Sequence, residues 1–83
     1  MEKRKFTVGC KYALIIMAAH NVGVEVGMLD DAERLIKEEV LPEDCTILNF
    51  EHCVRDAIDE VNMKNLNPAA ESEFKRLYGM YFN

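Results

Sequence analysis

Apolar positions recur along most of this chain with helical spacing, and turn signals divide them into four stretches. The first stretch predicts a helix over about Val8–Val26. One seam of it, Val8, Tyr12, Ile15, Ala19, Val22 and Val26, repeats at intervals of four and three and so falls in one narrow arc. A second seam, Cys10, Leu14, Met17, Asn21, Val24 and Met28, has the same spacing and lies on nearly the opposite face. Small residues, including Gly9, Ala13 and Gly23, fill one flank between the seams, and only a strip through Thr7, Lys11, Ala18 and Glu25 breaks the apolar girth. A helix apolar on three sides calls for cover on three sides. The competing reading is a short strand at Val22–Val26, where apolar residues alternate with period two. The unbroken four-three spacing favours helix.

The second stretch is better punctuated. Asp30 is placed as an N-cap with Glu33 three residues on, the pattern of a capping box. Ala32, Leu35, Ile36 and Val40 form its stripe, Glu33–Lys37 and Arg34–Glu38 pair on the wet side, and Pro42 is the expected stop. A third helix, capped by Thr46 or Asn49, has the stripe Phe50, Cys53, Val54, Ala57, Ile58 and Val61, opposite His52, Asp56, Asp59 and Glu60. Asn67-Pro68 reads as the start of a fourth, with Ala70, Phe74, Leu77, Tyr78 and Tyr81 inward and Glu71–Lys75 as a supporting pair. The prediction is an all-α fold: one domain over residues 1–83, a small four-helix bundle with a central, largely buried first helix. Residues 1–6 are expected to form a basic, frayed N-terminal segment.

Length sharpens this picture. At 83 residues and 9.5 kDa, a lone bundle is marginal in stability. The second seam therefore suggests a homodimer or partner interface through Cys10, Leu14, Met17, Val24 and Met28, two of them adaptable methionines. A chain this short leaves no room for the larger nucleotide-binding and hydrolase folds, and the expectation is a protein that is not an enzyme.

Charge changes the picture further. The net charge of -5 is uneven: +3 over residues 1–24, −9 over 25–60 and +1 over 61–83. The third helix has an acidic face in Glu51, Asp56, Asp59 and Glu60, which suggests docking to a basic protein partner. The plainer reading is a solvated face that keeps the chain soluble. Acidic exteriors on the second and third helices argue against nucleic acid as a partner, because a groove-reading helix needs Arg, Lys, Asn or Gln outward. The alternative, a dimeric nucleic-acid-binding regulator, would rest on Lys3, Arg4, Lys5 and Lys11.

Candidate chemistry adds little. Cys10, Cys45, Cys53, His20 and His52 lack the paired spacing of a zinc site, and the cysteines read as small core hydrophobes. Cys10 and His20 lie on one helix about 15 Å apart by its rise, too far for a nucleophile–base pair. His20 is expected to be partly buried. A ligand-binding bundle beside His20, Gly23 and the C-terminal tyrosines is a further alternative. No cofactor and no metal are expected. The odd cysteine count, the absence of a secretory pattern at the start and the lack of a membrane-length apolar run suggest the cytoplasm. The sequence thus predicts a small acidic regulatory protein, an inhibitor or adaptor that occupies a partner's surface. One form of it is acidic mimicry at a basic nucleic-acid-handling site, as a phage or mobile-element inhibitor would use.

Overall fold

Among the described residues four helices form on the apolar stripes of the sequence, and the first is the hub of the others. The computed structural model describes residues 5–40, 46–58 and 68–82, the side chains of 56–58 excepted. These comprise α1 (Val8–Asn21), α2 (Leu29–Glu38), α3 (Ile47–Ile58) and α4 (Pro68–Phe82), with no strand among the described residues. Their radius of gyration, 11.8 Å, matches the roughly 12 Å of a compact chain this long.

The N-terminus of α1 is fixed by Thr7. The Cys10 N–H donates to its Oγ1 at 3.2 Å, and the Thr7 hydroxyl donates to Cys10 Sγ at 3.2 Å. This cap satisfies one of the amides that a helix start leaves unpaired. From Cys10 through Ala19 only Lys11 and Tyr12 are not fully buried. α2, α3 and α4 each pack against α1 and meet one another little among the described residues. Leu14, Ile15 and Ile16 point in three directions from one turn, and each is at most 1% exposed. They are covered on all sides because Ala32 and Ile36 of α2, Phe50 and Val54 of α3, and Ala70, Leu77 and Phe82 of α4 share one core with them.

Several boundaries differ from the sequence expectation. α1 closes at Asn21, five residues before Val26, and Val22–Val26 is neither helix nor strand. Gly23 has φ +93°, its N–H donates to the His20 carbonyl at 3.0 Å, and the Val24 N–H donates to Ala19 at 2.9 Å. That pair of bonds is a Schellman motif, which absorbs the last carbonyls of a helix and turns the chain away. The capping box at Asp30 and Glu33 does not form. α2 begins at Leu29 behind a left-handed Met28 (φ 57°) with no side-chain cap, and Asp30 and Asp31 fall in its first turn, where they complement the helix dipole. A left-handed Glu39 (φ 58°) follows Glu38, so the helix stops before Pro42 exerts any effect. α3 is capped by Thr46: the Asn49 N–H donates to its Oγ1 at 3.2 Å while the Thr46 hydroxyl donates to Asn49 Oδ1 at 2.8 Å. α4 starts at Pro68, a residue with no amide to orphan.

The N-terminal segment is not wholly loose. Phe6 sets its ring edge-on against Tyr78 and Phe82, at 5.0 Å from each, and against Phe74 at 6.4 Å. Edge-to-face pairs at these separations are favourable, so Phe6 ties the chain before α1 to α4. Residues 1–4, with Lys3 and Arg4, lie outside the described residues.

Candidate protein-docking site

The early stop of α1 creates a groove. Past Gly23 the chain crosses in front of α3, and Glu25–Met28 forms one wall of a groove of about 720 Å³. Leu48, Asn49, His52 and Cys53 form the other wall. They belong together because positions four apart stack on one side of a helix. The Cys53 thiol donates to the Gly27 carbonyl at 2.9 Å, which holds the two walls in register. A Cβ at Gly27 would stand 3.4 Å from that sulfur, so glycine gives the loop its close approach. Val26, Met28 and Cys53 are half-buried and packed against the core. Leu48 stands at the rim with 58% of its surface exposed. The volume lies within the range of binding pockets, and the groove is open to solvent.

The electrostatics around it are one-sided. In α2, Lys37 Nζ meets Glu33 Oε2 at 2.8 Å and Arg34 meets Glu38 at 3.7 Å; in α3, Arg55 meets Glu51 at 2.7 Å. The Glu33 carboxylate raises the Lys37 pKa through that hydrogen bond. These pairs engage every Lys and Arg of residues 25–60. Glu25, on the groove wall, and Asp30 and Asp31, just beyond it, meet no cation among the described residues.

The residues singled out by sequence fall as follows. Glu51 is half-buried and tied to Arg55. Asp56 belongs to α3 with its side chain outside the described set, and Asp59 and Glu60 lie outside the described residues. The seam expected as an interface divides between the core and the loop after α1. Cys10 and Met17 are 5% exposed and Leu14 0%, all within the core of one chain. They are interior because α2, α3 and α4 pack around α1. Val24 and Met28 are half-buried in the loop after α1, and Met28 lines the groove. His20 is exposed rather than partly buried, because it sits in the last turn of α1 as the helix leaves the core. No group of three or more His, Cys, Asp or Glu poised for a metal ion occurs among the described residues. None of the described helices is long and apolar enough to cross a membrane.

Sequence reasoning missed the groove. Glu25 and Val26 of its loop wall lay inside the expected first helix, and Leu48 stood outside the third helix's stripe. The available signal was Gly23 followed by Gly27, a helix stop and a close approach. Sequence also missed the polar tie between α1 and α4. The Asn21 side-chain amide donates to Glu73 Oε2 at 2.7 Å, and Arg76 grips both oxygens of Glu73 at 2.6 and 2.7 Å. The Arg76 guanidinium first, and Asn21 second, lower the Glu73 pKa to about 2.

The comparisons with known proteins returned no matching family model, no matching curated protein and no matching solved structure.

Proposed function

We propose that this chain is a small acidic protein-binding module that acts by occupying a basic surface of another protein, as an inhibitor or adaptor. The observation that carries this reading is uncompensated charge: among the described residues Glu25, Asp30 and Asp31 meet no cation, while Arg34, Lys37 and Arg55 are engaged within their own helices. These three carboxylates, within a stretch of net charge −9 over residues 25–60, are the ones offered to a partner, and complementary charge speeds and orients docking. A basic nucleic-acid-handling site is the natural target, with the carboxylates standing where phosphates would. The free thiols of Cys10 and Cys53 fit action in the cytoplasm. The reading is of a binding protein rather than an enzyme, supported by Cys10 in the core and His20 exposed at the far end of the same helix. A homodimer would have to use surface other than the Leu14 seam.

The test is capture of partners from the native cell with the tagged chain, washed at low and at high salt. The same capture uses a variant carrying Glu25→Gln, Asp30→Asn and Asp31→Asn. The expected result is a basic partner held at low salt, released at high salt and lost with the variant. A second variant neutralising Asp56, Asp59 and Glu60 measures the contribution of the acidic face expected on the third helix. A partner held equally by wild type and both variants at high salt would contradict the reading.

A further inference from the structure

The groove between the Glu25–Met28 loop and α3 has an apolar floor, an exposed apolar rim and an acidic setting. The geometry points to a specific occupant: an amphipathic helix of a partner protein, with its apolar face on Leu48, Met28 and Val26 and with Lys or Arg along its flank. This deepens the reading above and rests on it.

Three observations select that occupant. First, Leu48 is 58% exposed beside half-buried Val26 and Met28, so an apolar side chain laid there removes water from a surface that is already continuous with the core. Second, an apolar furrow between a loop and a helix suits the helix-in-groove mode, whereas strand addition needs a sheet edge and the described residues contain no strand. Third, charge complementarity fixes the flank. Glu25 lies on the wall and meets no cation among the described residues, and Asp30 and Asp31 follow two and three residues after Met28. Arg55, the one Lys or Arg of α3, is held by Glu51 at 2.7 Å. His52 is the remaining titratable group facing the groove from α3 besides the Cys53 thiol, which is bonded to Gly27. A basic flank therefore meets attraction from the loop and from the start of α2, and an acidic flank meets repulsion.

The test is a titration of the isotope-labelled full chain, followed by amide chemical shifts, with two synthetic helical peptides. They share one leucine face; one carries lysine on its flanks and the other glutamate. The lysine peptide is expected to shift the amides of Glu25–Met28 and Leu48–Cys53. The glutamate peptide is expected to bind at least about tenfold more weakly. Leu48→Glu should weaken the lysine peptide roughly tenfold or more although it adds a favourable charge, and Leu48→Ser should do the same, a check that remains should the first variant fail to fold. Shifts confined to Asp30–Glu38 would remove the groove and leave the acidic docking reading standing. Equal binding of both peptides would remove charge selection and so overturn both. Absence of binding by the lysine peptide would also overturn both. Dilution of the protein alone moving the same groove amides would make a second copy the occupant and overturn the proposal.

Discussion

Leu14 and Glu73 show two ways in which single residues hold this molecule together. Leu14 is fully buried among all three neighbouring helices. Leu14→Ala is expected to cost about 2–5 kcal/mol, the range for an aliphatic core side chain that leaves a cavity. Leu14→Glu is expected to unfold the chain instead of releasing a folded protomer; circular dichroism with denaturant titration reads both. Glu73 works through charge. Its carboxyl is lowered to about 2 from an ordinary 4.5 by Arg76 and Asn21. A carboxyl with a depressed folded pKa contributes stability at pH above its unfolded value and loses it as pH falls through the folded one. The stability difference between wild type and Glu73→Gln is thus expected to be full above about pH 4.5 and to vanish by about pH 2. Because the site is part-exposed, the effect is modest. Denaturant midpoints measured across that window check it.

At the scale of elements, the sequence was legible where spacing decides and illegible where a backbone turn decides. All four helices follow their apolar stripes, and Pro68 and Thr46 start α4 and α3 where expected. The end of α1 was hidden because Val22, Val24 and Val26 continue its apolar seams past the point where the helix stops. Periodicity cannot register a stop that rests on one positive φ. Met28 and Glu39 are equally opaque, since neither residue advertises a left-handed backbone. The site suffers the same fate: its loop wall exists only because Gly23 turns the chain. Phe6, read as part of a frayed tail, is held by an aromatic cluster whose members lie more than sixty residues away. Gly23 supplies the test at this scale. A Cβ there meets nothing within 4 Å, so Gly23→Ala isolates the cost of φ +93°. That cost is expected to be about 1–2 kcal/mol, read from the denaturation midpoint. The amides of Val24–Met28 should exchange faster with solvent in the variant.

For the whole molecule, the distribution of apolar residues and charges settles differently from the averages. A helix apolar on three sides in a short chain suggested a second copy to finish the core. In the structure α2, α3 and α4 finish it within one chain, and Ala13, Ala18, Ala32 and Ala70, each at most 1% exposed, allow that close wrapping. The accessible surface of 5364 Å² is close to the roughly 5,000 Å² expected of a folded monomer of this mass. The surface is that of a compact single chain, and its acidic stretch is the part that we propose a partner meets. The central claim is that one chain closes its own core around α1. Its most direct test is the thermal unfolding midpoint measured across a wide range of protein concentration. A midpoint independent of concentration is predicted, as for a fold that needs no second copy. A midpoint that rises steadily with concentration would contradict it.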